Sequence, residues 1–168
     1  SSGNQKKFST NIYEAVQVND LITTSNDFIN NFGLLNKFEL LVKNVNSVGK
    51  NSSKFKDNEQ AEFLSVIKYD LDLPLFKKSS NYQNYLTPKL SLRHSPNDSK
   101  NNRDQKRYLN IDNIFSSNRI GFNDSVEGGT SLTIGLNFDK KDIENDKFFS
   151  SSVATVYRNK SNNNLPTN

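Results

Sequence analysis

EFLSVIKYDLDLPLFKKSSNYQNYLTPKLSLRHS, residues 62–95, is the stretch on which the fold turns. Its first half sets Ile67, Tyr69, Leu71, Leu73 and Leu75 on one side of an extended chain and Lys68, Asp70 and Asp72 on the other, since successive side chains of a strand point to opposite faces. Its second half does the same with Leu86, Leu90 and Leu92 against Thr87, Lys89, Ser91 and Arg93. Two alternating runs joined by KKSSNYQ (77–83) predict a β-hairpin. A one-residue slip would turn every side chain to the wrong face, so paired positions must sum to an odd number. A sum near 163 sets Leu71 opposite Leu92, Leu73 opposite Leu90 and Asp70 opposite Arg93; a sum of 161 sets Asp72 opposite Lys89. Either register gives a leucine ladder on one face and opposite charges on the other. Pro74 and Pro88 fall at similar heights near the turn, and because proline cannot donate to a ladder they are expected to mark the hairpin's end.

The same alternation continues outward. TSLTIGLNF (130–138) carries Leu132, Ile134 and Leu136 on one face and Ser131, Thr133, Gly135 and Asn137 on the other. Strands are expected at about 8–18, 22–31, 36–46, 61–76, 83–95, 130–139 and 148–158, with no helix between them. The connections alternate in length from residue 32 onward. FGLLN (32–36), KKSSNYQ (77–83) and KKDIENDK (140–147) are short; NSVGKNSSKFKDNEQ (46–60) and 96–129 are long. In an up-and-down sheet every second turn lies on the same side, so the long loops gather at one end.

Composition narrows the class. The chain has 168 residues, enough for one ordinary domain, and only 33% of them are hydrophobic. That is too polar for a thick soluble core and too regularly patterned for disorder. Twenty-two basic residues against 18 acidic ones give a net charge of +4. The densest basic stretch, SKNNRDQKR (99–107), has little aromatic interleaving and reads as a solvated loop, not a nucleic-acid groove. No apolar run approaches the ~20 residues of a membrane helix, which says nothing against strands that span with ~9–11. The opening SSGNQKKF has no apolar core of a signal peptide. Both ends stop in mid-pattern, and the expectation is a piece of a longer protein. Cysteine is absent, which is compatible with any redox compartment.

Two architectures fit such alternation: a soluble or surface-displayed β-sandwich with its apolar face inward, and a membrane barrel with its apolar face outward. Strands longer than the soluble mean of ~5–6 residues and loops of alternating length favour the barrel, whose turns are short on one side and long on the other.

The segments LTPKLSLRHSPN (86–97), NIFSSNRIGFNDSVEGG (113–129) and TSLTIGLNF (130–138) resemble the barrel domain of the LptD family, the lipopolysaccharide-assembly proteins of Gram-negative outer membranes. FGLLNKFELLVKNVNSVGK (32–50) and VYRNKSNNNLP (156–166) also look similar, while 84–138 is the specific part. The resemblance implies an all-β fold, an internal segment of about seven antiparallel strands from a large outer-membrane barrel. It implies lipopolysaccharide and outer-membrane lipid as partners, with an LptE-type lipoprotein plug and a periplasmic LptA-type bridge. It implies an outer-membrane location. The family's periplasmic domain, its seam strands and its disulfide cysteines are missing from these residues, so the segment is not expected to transport alone. A porin or receptor barrel is a further alternative.

The barrel reading turns Leu71, Leu73, Leu90, Leu92, Leu132, Ile134 and Leu136 to lipid and makes Asp70, Asp72, Lys89 and Arg93 a lumenal charge ladder. Each opposed pair is worth ~0.2–1 kcal/mol. A ladder is a better account of Asp70 and Asp72 than a catalytic carboxylate pair. Phe115, Arg119, Phe122, Asp124, Glu127, Gly128 and Gly129 lie in the long loop. They read either as a closure over or into the barrel mouth, near lipopolysaccharide sugars or phosphates, or as a packed external loop whose charges pair internally; the second is the simpler. Gly128 and Gly129 supply backbone freedom where the loop enters the strand. The half from 96 to 107 has no apolar side chain and is expected to be mobile, and the half from 113 to 129 is expected to pack. His94 has no Cys or acidic companions at metal spacing, and no serine sits in a nucleophile elbow. No metal, cofactor or enzymatic activity is assigned.

Overall fold

The computed structural model describes residues 11–144 and 146–166. Eight strands form one antiparallel sheet: β1 (Tyr13–Thr24), β2 (Phe28–Ile29), β3 (Leu35–Lys50), β4 (Gln60–Asp72), β5 (Leu75–Lys78), β6 (Tyr82–Ser95), β7 (Gly129–Asp142) and β8 (Lys147–Arg158). The order is β1-β3-β4-β6-β7-β8, with β2 extending the β3 ladder and β5 that of β6. Chain order and sheet order coincide, β1 and β8 are edges, and there is no helix among the described residues. This is an open up-and-down sheet, consistent with a segment of a barrel.

Six strands run from 12 to 16 residues. The links 25–34, 79–81 and 143–146 lie at one end and 51–59 and 96–128 at the other, so the long loops do gather on one side. Asparagine makes the tight turns: Asn30 Oδ1 accepts from the amides of Phe32 and Leu34, and Gly33 takes φ +78°, a left-handed conformation open to glycine.

Several boundaries differ from the pattern. Expected strands at 8–18 and 22–31 are one continuous β1 followed by the two-residue β2; residues 8–10 lie outside the described residues. Mixed faces concealed that continuity. The strand expected over 61–76 breaks after Asp72 and resumes at Leu75. Pro74 falls at the break and Pro88 faces it; neither has an N–H to give, and Leu73 N donates to Pro88 O at 3.0 Å. The prolines interrupt the ladder and do not end it.

The register of β4 on β6 sums to 161: Tyr69 opposes Leu92, Asp70 opposes Ser91, Leu71 opposes Leu90 and Asp72 opposes Lys89. The pairings of Leu71 with Leu92, Leu73 with Leu90 and Asp70 with Arg93 are therefore wrong by one step of two residues. Arg93 opposes Lys68 instead. Alternation alone could not separate the two registers, because both keep like faces together.

Burial is inverted relative to a soluble sheet. One face carries Phe38, Ile67, Leu92, Ile134, Leu136 and Val153, all exposed. The other carries Lys43, Lys68, Ser91, Arg93, Ser131 and Thr133, all buried, because the 96–128 loop lies over much of it. The apolar core is small and sits on that inner face near the long-loop end, where Leu41, Val45, Leu64 and Val66 receive Val126 from the loop. Leu64 and Val66 break the polar alternation of β4 for that reason.

Candidate functional site: the loop seated on the inner face

The loop is fastened first at its base. The β4–β6 ladder ends at Ile67 opposite His94, which leaves the preceding residues of β4 short of partners. Asn97 supplies one: its Oδ1 accepts from Ser65 N at 2.8 Å and its Nδ2 donates to Phe63 O at 3.0 Å. Ser99 then joins three segments, with Oγ accepting from Gly128 N (2.8 Å) and Asn162 Nδ2 (2.6 Å). Asn102 Nδ2 donates to Ser125 Oγ at 3.1 Å, and its amide donates to Asn164 O at 2.8 Å. The half expected to be mobile is thus anchored at Asn97, Ser99 and Asn102. Its holds are polar, so a search for apolar side chains missed them. A Cβ on Gly128 would stand 2.0 Å from Asn97 O, and Gly129 has φ +85°; close approach and a left-handed turn fix glycine at both.

The second half packs. Phe115 lies on Gly135, where an added Cβ would come within 2.6 Å of the ring. Its carbonyl accepts from Lys68 Nζ at 2.8 Å, and Lys89 Nζ stands 5.1 Å from its ring centroid. Ser117 O accepts from Arg93 Nε at 2.8 Å. Arg93 thus holds a loop carbonyl in place of the cross-strand Asp70 expected for it, and Lys68 holds another while also pairing with Asp70. Ile114 and Ile120 are buried and Phe122 is half-buried beneath Arg107, whose guanidinium carbon lies 5.5 Å from the ring centroid.

At the centre, Arg119 forks onto Glu127. Nε donates to Oε2 and Nη2 to Oε1, each at 2.6 Å, and both side chains are about 1% exposed. Arg119 also donates to Ser131 Oγ at 2.8 Å and to Thr133 Oγ1 at 3.4 Å. Arg158 Nε of β8 reaches Glu127 Oε1 at 2.8 Å. Burial pushes the Glu127 carboxyl up, but the hydrogen bonds and charges of Arg119 and then Arg158 outweigh it and hold it below the ordinary carboxylate value. The small face of β7 therefore meets the loop and not bare water. Ser131 and Thr133, which alternation alone would leave open to a lumen, are covered by it.

Asp124 does not join the Arg119–Glu127 pair. It bonds Lys54 of the β3–β4 loop at 2.8 Å; burial raises its carboxyl, and Lys54, with Lys100 behind it, brings it below the usual value. In the ladder, Asp72 pairs with Lys89 at 3.3 Å, while Asp70 takes Lys68 at 2.9 Å and Ser91 Oγ at 2.5 Å. Leu71, Leu90, Leu92, Leu132, Ile134 and Leu136 share the outer face by register; Leu73 lies just beyond β4. Lys68, Arg158, Asn97 and Ser99 were not legible as site residues, since the contacts that bring each to the site reach residues distant in sequence. No group of three or more potential ligands that could hold a metal ion occurs among the described residues.

The outer face has a further order. Aromatic rings collect toward the short-turn end, with Phe38 stacked on Tyr69 at 4.5 Å, Tyr82 beside Phe148 at 5.6 Å and Phe138 beside Phe149 at 6.1 Å. Tyr157 and Tyr13 are exposed near the long-loop end. No protein-family model, curated protein or solved structure matches the chain.

Proposed function

We propose that this chain is part of an outer-membrane β-barrel that delivers lipopolysaccharide to the outer leaflet. The observation that carries the membrane half is the inverted burial: exposed Leu92, Ile134 and Leu136 back onto buried Ser91, Arg93 and Thr133. A sandwich would bury the first set under a second sheet, and no such layer exists among the described residues. The spacing of the rings agrees. Tyr157 and Phe149 are eight residues apart on β8, roughly 27 Å along a strand. At a tilt of ~40° that is about 20 Å along the barrel axis, near the ~25 Å apolar band that aromatic girdles flank.

The lipopolysaccharide half is supported by the LptD resemblance of residues 84–138. On this reading the LptE-type plug and LptA-type bridge are partners of the complete protein, and this segment supplies wall and outer closure. Depletion of the complete protein in its bacterium tests it. Newly made lipopolysaccharide should stop reaching the cell surface, measured by antibody labelling of intact cells. Normal surface delivery after the barrel has gone would overturn the cargo and leave a porin or receptor.

A further inference from the structure

Between the loop and the residues that follow β8 lies a cavity of about 550 Å³ with five cations on its wall: Arg103, Arg107, Arg119, Arg158 and Lys160. No carboxylate lines it among the described residues. Glu127 stands behind the wall and takes up Arg119 and Arg158 through their hydrogen bonds. Arg103, Arg107 and Lys160 form no ion pair with a described residue, so among the described residues the wall carries more positive charge than Glu127 balances. Mutual repulsion among these groups is a cost to folding that a bound anion would relieve. Guanidinium groups present planar forks that suit phosphate oxygens. The rest of the wall is mixed, with Ser161 and Asn163 beside Tyr108, Leu109 and Leu165. Polar groups and small apolar faces together suit a sugar ring.

We infer that this cavity binds a phosphorylated saccharide. Phospholipid headgroups of the surrounding bilayer are excluded as the source of the phosphate by position, because Arg119 and Arg158 belong to the covered inner side and not to the exposed apolar face. Nucleic acid is disfavoured by the wall's single aromatic residue, Tyr108, where a single strand would need a run of stacking platforms. The volume lies within the ~300–1,000 Å³ of small-molecule sites and is too small for a polymer. The saccharide part rests on the outer-membrane reading above; the phosphate part does not.

The test is calorimetric titration of the complete protein in detergent with inorganic phosphate, glucose 1-phosphate and glucose. Glucose 1-phosphate should bind more tightly than inorganic phosphate, and glucose should not bind. Both anions should weaken as salt is raised. The double variant R103Q/R107Q should weaken glucose 1-phosphate roughly tenfold or more, the scale of losing charge-assisted hydrogen bonds. K106Q removes the same kind of charge from the same loop but from outside the wall, and should leave affinity unchanged. Arg103 and Arg107 are both exposed, so their replacement spares the buried anchors. Absence of phosphate-dependent binding, or an equal loss in K106Q, overturns the site. Equal affinity for inorganic phosphate and glucose 1-phosphate overturns the saccharide. Intact phosphate binding in a protein whose depletion leaves surface lipopolysaccharide normal would sink the transport reading and keep the site. Comparing lipopolysaccharide stripped of its acyl chains with glucose 1-phosphate separates a lipid-linked source, which should bind more tightly, from a free sugar phosphate.

Discussion

At the scale of single residues, Arg119 and Glu127 decide whether the loop sits on the sheet. An ion pair this deeply buried is not a cheap source of stability, since both ions lose water. Its consequence is specificity: the bidentate fork fits one placement of the loop against Ser131 and Thr133. Removal of one partner strands the other, at a cost of about 3–5 kcal/mol. Glu127→Ala should therefore unseat the loop, read as new protease cleavage between 103 and 124 with the barrel still inserted; unchanged protection would show that the pair is incidental. The pH dependence has a definite sign. Glu127 is held below its ordinary pKa, so its contribution is complete above ~4.3 and is lost as pH falls through the lower, folded value. Asp124 shifts in the same direction and adds a step of the same sign. The loop should stay protected at neutral pH and open in acid. Glu127→Gln should flatten that step, and an unaltered acid step in this variant would assign it elsewhere.

At the scale of elements, the strands were largely legible because their period-two patterning is imposed by two different environments. Register was not, since a shift of two residues preserves every facing. Cysteine pairs settle it: 72/89 should crosslink directly, and 70/93 should not, because Asp70 lies opposite Ser91 and Arg93 opposite Lys68. Preferential crosslinking of 70/93 would restore the rejected register. Facing on β7 has its own test, and the control position must be chosen by burial. Thr133, by pattern a residue in open water, is 1% exposed and bonded to Arg119. An arginine there would press a second cation against the first. Asn137 is the better inner-face position, half-buried and opposite Thr87 and Ser152. Ile134→Arg should cost ~2–4 kcal/mol in the apolar band and impair folding into lipid vesicles. Asn137→Arg should fold nearly as the parent does, and Thr133→Arg should fold with its loop displaced. If Asn137→Arg proves as harmful as Ile134→Arg, the two faces have been exchanged. The loop resisted sequence reading for a different reason: its anchors are hydrogen bonds between Asn97, Ser99 and Asn102 and distant backbone, which leave no local pattern.

At the scale of the whole molecule, an open sheet with an exposed apolar face and two unpaired edges cannot be at rest in water. These residues expressed alone should need detergent or denaturant, whereas a cooperatively folded monomer in plain buffer would revive the sandwich. On the proposed reading, in which the chain is part of a complete barrel, the same design sets a problem of leakage, because a wide polar lumen conducts whatever fits. The loop is the material that answers it on the long-loop side. Ile114, Ile120 and Val126 are buried, and Lys68, Arg93 and Arg158 grip it from three different strands. It is therefore held across the sheet instead of hanging from one hairpin. Deletion of 113–127 should let large antibiotics through the outer membrane at a matched level of inserted barrel. The comparator must spare Ser99 and Asn102, which tie the loop base to Gly128 and to the residues after β8. A Gly-Ser replacement of 104–106 meets that requirement, since all three residues are exposed, and it should leave the membrane tight. If the 113–127 deletion inserts normally and antibiotics stay out, the loop stiffens the wall without closing it, and the barrier must be sought in another part of the protein.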